Sequence, residues 1–598
     1  MLQTLKKYWN YDNFRPLQAE IIQSILDGRD TLALMPTGGG KSLCFQVPTM
    51  VMNGLCLVIT PLIALMKDQV ENLKKRDIRA AAIYTGMTYE QQKTALDNCM
   101  WGPYHFLYVS PERLESEEFR ERLSRLPICL IAVDEAHCIS QWGYDFRPSY
   151  LKIAEIRDII ANNAASNSSQ RASNNQVPIL ALTATATPNV VDDIQERLAF
   201  REKHVLRKSF SRANLSYVVR QTNKKADEIV HILNRVSGSA IVYVRNRQRT
   251  QEIAAYLNES GISADFYHAG LTSKERSAKQ EAWKSNLTRV IVATNAFGMG
   301  IDKPDVRVVI HHDLPDTIEA YFQEAGRAGR DEQKAFAVLL YDPSQDKAKA
   351  RKRIADNYPE EEFLHTVYHK TCNYLGVGAD SGQGATFFLD VNDLCRKMHL
   401  PIIPTYSALH LLSQMGYLTF DEEQEIRPRV MIRVQRRDLD NYTLTADQAE
   451  LLEGLMREYT GIFTELQYIK GGQQSCSLGD ASLQNGGNAA YCLEAKRHEL
   501  LVSLAQKGII SYVPQTIANV LRLTVNRQAE IRVPEHFYTG RKTHYVEKLK
   551  AMIEYADNQQ FCRSQLLLSY FGENDAETCG TCDVCRLRAK EQATRSEA

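Results

Sequence analysis

The sequence predicts an α/β protein of two doubly wound parallel-sheet lobes. A winged-helix-like α+β region and a small helical segment carrying clustered cysteines follow. Three observations predict this. Short β-branched runs alternate with helical patterns up to about residue 345, amphipathic helices leading into alternating strands take over beyond about 350, and four of the 13 cysteines crowd into the last 40 residues. At 598 residues the chain exceeds one core, since a domain averages about 150 residues. The expected boundaries are 1–208, 209–345, 346–540 and 541–598.

Composition narrows the class. Apolar residues make up 44% and charged residues 24%, and the formal net charge is zero. That argues against a general polycation but leaves room for a local basic groove. MLQTLKKYWNYDNFRP has no secretory core, and runs such as CLVITPLIALM fall short of the roughly 20 residues a membrane span needs. A cytoplasmic protein is expected, in which scattered cysteines are small core residues rather than disulfides.

In the first lobe, DTLALMP, CLVIT, FLYVS, CLIAVDE and PILALTATA read as buried parallel strands, each followed by a helix-like segment. ANNAASNSSQRASNNQ (161–176) reads as a flexible surface loop. SAIVYV, ADFYHAG, RVIVATN, VRVVIHH and FAVLLYD repeat the rhythm in the second lobe. Sites in such sheets lie at the carboxyl ends of strands.

Beyond these lobes, PTYSALHLLSQMGYLTF reads as a helix stopped at Gly416 and followed by a strand. RPRVMIRVQRR then places Val430, Ile432 and Val434 on one face, Arg429 and Arg433 on the other. A helix leading into a basic hairpin suits a winged helix. The unit recurs in RHELLVSLAQKGIISYV and NVLRLTVNR, where Leu521, Leu523 and Val525 alternate with Arg522, Thr524 and Asn526. The tail RLRAKEQATRSEA reads as disordered.

MPTGGGKS (35–42) lies between a strand and a helix, although Met35 stands where a phosphate loop usually has its first glycine. Thr37, Gly38, Gly39 and Gly40 let backbone N–H groups approach phosphate oxygens, Lys41 would reach the β- and γ-phosphates, and Ser42 would bind Mg²⁺. CLIAVDEAH delivers Asp134 and Glu135 to a second strand end. Asp134 would hold Mg²⁺ through water, and Glu135 would orient or deprotonate an attacking water. In QEAGRAGRD, Arg327 and Arg330 are three apart and would share a helix face. A guanidinium inserted from a neighbouring lobe would stabilise charge on a transferring γ-phosphoryl. Cys562, Cys579, Cys582 and Cys585 suit a closed, structural tetrahedral Zn²⁺ site.

Together the motifs FRPLQ, MPTGGGKS, ITPLIALMKDQV, DEAHCISQWGYDFRP, LTATA, YHAGL, VATNAFGMGIDKPDVR and YFQEAGRAGRD resemble, in order over about 330 residues, the RecQ family of superfamily 2 helicases. The cysteine segment also resembles that family's zinc segment. The resemblance implies two RecA-like lobes with ATP between them, and ATP-driven unwinding of DNA, 3′ to 5′ along one strand. It implies that Gln18 reads the adenine edge with Tyr11 and Arg15 flanking the ring. Gln323 and Arg327 would face the phosphates, with Arg330 as the finger. Position 17 is Leu where several relatives carry a small residue.

Trp142 and Phe146 would stack on bases of single-stranded DNA, with Arg147 on a phosphate, a few residues from the water-activating acid. Aromatic stacking tolerates any base, as a motor requires. Tyr512 in YVPQTIAN is the candidate for a strand-separating turn. In the family the zinc segment directly follows the second lobe, whereas here some 200 residues, about 346–545, intervene. The expected partners are single-stranded and branched duplex DNA, for a monomeric, repair- or recombination-linked enzyme, nucleoid-associated if bacterial. The alternatives are an RNA helicase, a duplex translocase that does not unwind, or a nucleic-acid-binding regulator with a vestigial ATP site.

Overall fold

The computed structural model describes residues 1–597 except 37, 62, 85–86, 88, 141–146, 167–176, 299–302, 427, 470–487 and 514–515. Two compact units emerge: Met1–Lys352 with Arg541–Ala598, and Arg353–Gly540.

The first unit holds both α/β lobes. Lobe one contributes β1 (Thr31–Leu34), β2 (Leu55–Ile59), β3 (Ala80–Ile83), β4 (Phe106–Val109), β5 (Ile128–Val133), β6 (Ile179–Thr183) and β7 (Val205–Arg207). They form a parallel sheet in the order β3-β4-β2-β5-β6-β1-β7. Lobe two contributes β8 (Leu215–Gln221), β9 (Ser239–Tyr243), β10 (Ala264–Tyr267), β11 (Val290–Ala293), β12 (Val306–His311) and β13 (Ala335–Tyr341), in the parallel order β10-β11-β9-β12-β13-β8. The central strands are apolar throughout because helices cover both sheet faces. The three strands that sequence reading passed over, β3, β7 and β8, are all edges. β3 is AAAI, with too little side-chain bulk to read as a strand.

A buried ionic clamp anchors the strand that leads into the glycine loop. The Asp30 carboxylate, 1% exposed, accepts from Arg157 Nη1 at 2.7 Å, from the Arg201 guanidinium, and from the backbone N–H groups of Ile179 and Arg201. Burial alone would raise its pKa, but the Arg201 and Arg157 hydrogen bonds outweigh burial and hold it below the usual range. Asp30→Ala strands the buried Arg157 guanidinium and should cost about 3–5 kcal/mol, read as a lower urea midpoint. A depressed carboxylate stabilises the fold above its unfolded pKa, so this contribution is present at neutral pH and fades as pH falls below about 4.

Residues 541–598 belong to the same compact unit as the lobes. Phe571 packs at a tilt against Phe322 and Phe210, with ring centroids 5.0 and 5.3 Å away. Asp557 meets Lys347 at 2.7 Å and the Tyr341 hydroxyl at 2.9 Å, so the cysteine segment begins beside the place where lobe two ends. The long interruption seen in sequence is therefore a separate unit, and the chain returns to the second lobe after it. Two loop expectations fail. A helix runs Ile153–Ser166, taking in 161–166, and the polar tail is helical over Asp583–Glu597. Three of the six residues 161–166 are Ala, and the tail is rich in Arg, Ala, Lys, Glu and Gln, all good helix formers. The remainder of the expected loop, 167–176, lies outside the described residues.

The second unit is a winged helix with an altered wing. Helices Glu361–Tyr374, Val391–Met398 and Ile402–Gln414 pack with β14 (Thr386–Leu389), β15 (Leu418–Ile426) and the last strand of the unit, Thr516–Leu523. Gly416, at φ 82°, ends the third helix where the sequence placed its stop. The expected hairpin between 418–426 and 429–432 does not form. Instead β15 continues into β16 (Arg429–Ile432), leading to a second small sheet with β17 (Gln467–Tyr468) and β18 (Ile510–Val513), and β19 (Thr516–Leu523) returns antiparallel to β15. The sheet orders are β14-β19-β15 and β17-β16-β18. Register carries through both sheets: Ile426 pairs with Thr516, and Arg429 with Val513. The described parts of these strands thus form a two-stranded ribbon in one register, shared between the two sheets.

This ribbon removes two expectations. The recurring helix–strand pattern is not a second winged helix, because its strands belong to both sheets. Tyr512 does not mark a hairpin turn: it pairs with Val430 in mid-ribbon, and its hydroxyl lies 3.1 Å from His498 Nδ1. The alternation itself was correctly read, since Val430, Ile432, Leu521 and Leu523 are buried.

Candidate nucleotide site and cysteine cluster

The glycine loop connects β1 to the helix Lys41–Met52. Gly38 and Gly40 adopt φ 81° and 77°, conformations that favour glycine, and a Cβ on Gly40 would lie 2.3 Å from Gln18 Nε2. Gln18 is 1% exposed and fully engaged. Its Nε2 donates to the Gly39 and Gly40 carbonyls at 3.3 and 3.0 Å, and its Oε1 accepts from Arg15 N–H at 2.9 Å. Arg15 Nη1 donates to the Gly38 carbonyl at 2.6 Å. The two residues expected around adenine therefore brace the glycine loop here, while Tyr11 is 53% exposed. Leu17 takes a left-handed backbone at φ 74°, a conformation that is costly for any residue with a Cβ. Thr37 lies outside the described residues.

Asp134 and Glu135 follow β5 at its carboxyl end. Glu135 has φ 47°, a strained conformation for a residue with a Cβ and one often found at functional sites. Lys41 Nζ lies 4.0 Å from Glu135 Oε1. His137 Nδ1 lies 3.4 Å from Glu135 Oε2 and 3.0 Å from Thr183 Oγ1, linking the acid to the end of β6. The two acids titrate apart. Burial and the neighbouring Glu135 charge push Asp134 up to about 6. Burial would also raise Glu135, but the charges of Lys41, His137 and Arg327 hold it below the usual range. Glu135 thus keeps its charge, whereas the Lys41 charge offsets only part of the rise at Asp134. Ser42 Oγ and the Asp134 carboxylate are oxygen donors of the kind Mg²⁺ takes, so the donor set fits that ion.

Lobe two reaches this loop. Arg330 packs along Gly38, where an added Cβ would meet Arg330 Cγ at 3.3 Å. Arg327, 5% exposed, hydrogen-bonds the Gly298 carbonyl. The expected shared helix face is corrected: the helix Ile318–Ala325 stops before both arginines, which lie in the turn beyond it. Gly329 makes that turn possible, with φ 60° and Asn214 Nδ2 only 2.6 Å from a built Cβ. Arg212 Nη2 donates to the Ala328 and Gly329 carbonyls at 3.0 and 2.6 Å, and Asn214 Nδ2 to the Gly329 carbonyl at 2.7 Å. Sequence reading missed Arg212 and Asn214, which lie more than a hundred residues from their partners and form no local pattern. It also did not single out His137 and Thr183, although both stand inside quoted motifs.

Gln323 and Arg147 line a cavity of about 440 Å³ together with Arg327, Tyr243, Arg245 and His311. The Arg147 N–H donates to the Cys138 carbonyl at 2.8 Å, tying the end of the aromatic segment to the acid-bearing turn. Trp142 and Phe146 lie outside the described residues.

The four cysteines converge. Their Sγ atoms lie within 4.8 Å of one another. The N–H groups of Cys579, Cys582 and Cys585 point at the Sγ atoms of Cys562, Cys579 and Cys582 at 3.3–3.4 Å, donors suited to thiolate charge. A tetrahedral Zn²⁺ fits this set. The same segment grips the back of the helix Ile318–Ala325. Lys548 Nζ pairs with Glu319 Oε1 at 2.9 Å, both buried, and Tyr555 lies against Tyr321 at 5.3 Å. Among the described residues no helix is long and apolar enough to cross a membrane.

Residues 15–194 match the model for DEAD/DEAH box helicases, 224–332 the helicase conserved C-terminal domain, and 526–586 the RecQ zinc-binding domain. The chain is similar to the ATP-dependent DNA helicase RecQ of Haemophilus influenzae, 42% identical over 370 residues, covering 62% of this chain and 57% of that protein. It matches RecQ of Pasteurella multocida at 41% over 57% of this chain and 52% of that one. Thus the chain spans little more than half the length of these two relatives. With the probable ATP-dependent DNA helicase RecS of Bacillus subtilis the identity is 41% over 372 residues, 61% of this chain and 71% of the relative. With its two parallel-sheet lobes, cysteine cluster and these matches, the chain belongs to the RecQ family of ATP-dependent DNA helicases.

Proposed function

We propose that this chain hydrolyses ATP between its two lobes and uses the cycle to move along single-stranded DNA, 3′ to 5′, separating the duplex ahead. The observation that carries this is the approach of Arg330 to Gly38, with Arg327 acting on Glu135, because a motor of this type needs one lobe to sense the phosphate held by the other. Lys41 neutralises the β- and γ-phosphates, Glu135 accepts a proton from the attacking water, and Arg330 stabilises charge spreading over the transferring group. Ser42, and Asp134 through water, would hold Mg²⁺, whose chemistry there would be to neutralise phosphate charge. On binding, Gln18 would exchange the loop carbonyls for the adenine edge, with Tyr11 and Arg15 beside the ring. Trp142 and Phe146 would stack on bases and Arg147 would meet a phosphate. Zn²⁺ on Cys562, Cys579, Cys582 and Cys585 would close the C-terminal fold.

Domains at 1–208, 209–345, 346–540 and 541–598 fit this division of labour, as do a monomer, branched DNA substrates and a cytoplasmic role in repair or recombination. An RNA helicase, a non-unwinding translocase or an ATP-dead regulator is not favoured. The relatives are named DNA helicases, and Lys41, Asp134, Glu135 and Arg330 are all present.

Strand displacement tests the reading. With ATP, 3′-tailed and forked duplexes should be unwound and 5′-tailed duplexes left intact, while single-stranded DNA stimulates hydrolysis more than duplex DNA or RNA does. Stimulation by RNA alone, or hydrolysis without displacement of any tailed, forked or four-way substrate, would overturn it.

A further inference from the structure

The helix Ile63–Lys74, from the segment ITPLIALMKDQV, has no role in the site described so far, yet one of its side chains touches that site. Gln69 Nε2 donates to Ser42 Oγ at 3.3 Å, and Gln69 Oε1 accepts from Gln46 Nε2 at 3.1 Å. Ser42 and Gln46 are four apart on the helix Lys41–Met52 and share a face. A single carboxamide from a second helix therefore straddles one turn of the helix that follows the glycine loop. Gln46 is 5% exposed, so its amide is shielded from water and holds Gln69 in place. The Tyr108 phenol is buried as well, and burial is the main cause that raises its pKa. A chain of two side-chain hydrogen bonds thus runs from Ser42 through Gln69 to Gln46.

The chemistry of that line is directional. With Gln69 donating, the Ser42 oxygen gives one lone pair to the amide. If both amides turn over, Ser42 O–H donates to Gln69 Oε1, Gln69 Nε2 donates to Gln46 Oε1, and both serine lone pairs are open. Two amides in series can invert only together, since otherwise two donors or two acceptors would face each other. The hydroxyl can therefore release a lone pair to a cation while the Ser42–Gln69–Gln46 chain stays hydrogen-bonded.

We propose that Gln69 is a positioning residue for the metal-bound nucleotide, fixing the Ser42 hydroxyl and, with Gln46, allowing it to change from acceptor to donor. This rests on the reading of Ser42 as a ligand of nucleotide-bound Mg²⁺. Neither glutamine touches the reacting atoms. Their effect passes through Ser42 and should appear in the Mg²⁺ requirement rather than in nucleotide contacts.

The test is a Mg²⁺ titration of the binding of a fluorescent, non-hydrolysable ATP analogue to the full chain, with a parallel measurement in EDTA. Gln69→Leu should raise the half-saturating Mg²⁺ concentration about fivefold to tenfold, the worth of one hydrogen bond, and leave the affinity in EDTA within about twofold. In a Ser42→Ala background, Gln69→Leu should have no further effect, because its route is gone. Gln46→Leu, which leaves Gln69 present but unanchored, should give a smaller shift in the same direction and carries the test if Gln69→Leu does not fold. An unchanged Mg²⁺ requirement, effects that multiply with Ser42→Ala, or an equal loss in EDTA would overturn the proposal. A parent chain that bound no analogue under either condition would instead sink the ATP reading on which it stands.

Discussion

Glu135→Gln should lower ATP turnover by about 10²–10⁴-fold, the range a general base supplies, while nucleotide affinity stays within a few-fold of the parent. The glutamine keeps the size of the side chain but cannot accept the proton, whereas the phosphate-binding parts, Lys41 and the loop amides, are untouched. The conformation of Glu135 adds a second readout. Its φ of 47° is costly for any residue with a Cβ, and glutamine inherits that cost. Glu135→Gly should be just as inactive yet more stable than Glu135→Gln by about 1 kcal/mol, since glycine adopts this backbone freely. Appreciable hydrolysis by Glu135→Gln would remove the acid from its assigned role. Equal stability of the two variants would remove the strain argument and leave the chemistry standing.

Stripping metal from the cysteine cluster, or Cys579→Ser, should be the most damaging change outside the nucleotide site. Structural zinc contributes on the order of 10 kcal/mol in small modules, and the segment it would close here braces lobe two. Lys548 and Tyr555 contact the helix that leads into the Arg327–Arg330 turn, at Glu319 and Tyr321, and Phe571 contacts it at Phe322. Chelation should therefore lower the Tm and also reduce ATP turnover at least about tenfold, because misplacing a catalytic group by about 1 Å can cost about 10²-fold. Nucleotide binding by the glycine loop should survive in partly stripped protein. A chelated sample with unchanged Tm, or Cys579→Ser with full turnover, would contradict this account.

The lobes were legible because buried parallel strands are written as unbroken apolar runs, each closing on the residues that do chemistry. DTLALMP and CLIAVDE gave away both the strand and the site at its end. The edges were harder: AAAI carries no bulk to distinguish it from helix, and β8, LSYVVRQ, has only part of its length buried. The arginine turn was misjudged as helix because spacing alone does not reveal that Gly329 needs a positive φ. Its supports, Arg212 and Asn214, are local in space and remote in sequence. The same distance hid Gln69, which lies in a quoted segment but whose partners belong to another helix. The wing was misread for a topological reason: a strand that continues into a second sheet has the same alternation as one that turns back.

That wing has a consequence for how such a chain can change. Ile426 and Thr516 are register partners in the first sheet, and the chain between them returns to the point where it departed. The winged helix therefore meets the intervening stretch at two adjacent strand ends. A graft at such a doorway leaves its host's architecture intact. Lineages can enlarge, trade or discard what hangs there without redrawing the body that carries it.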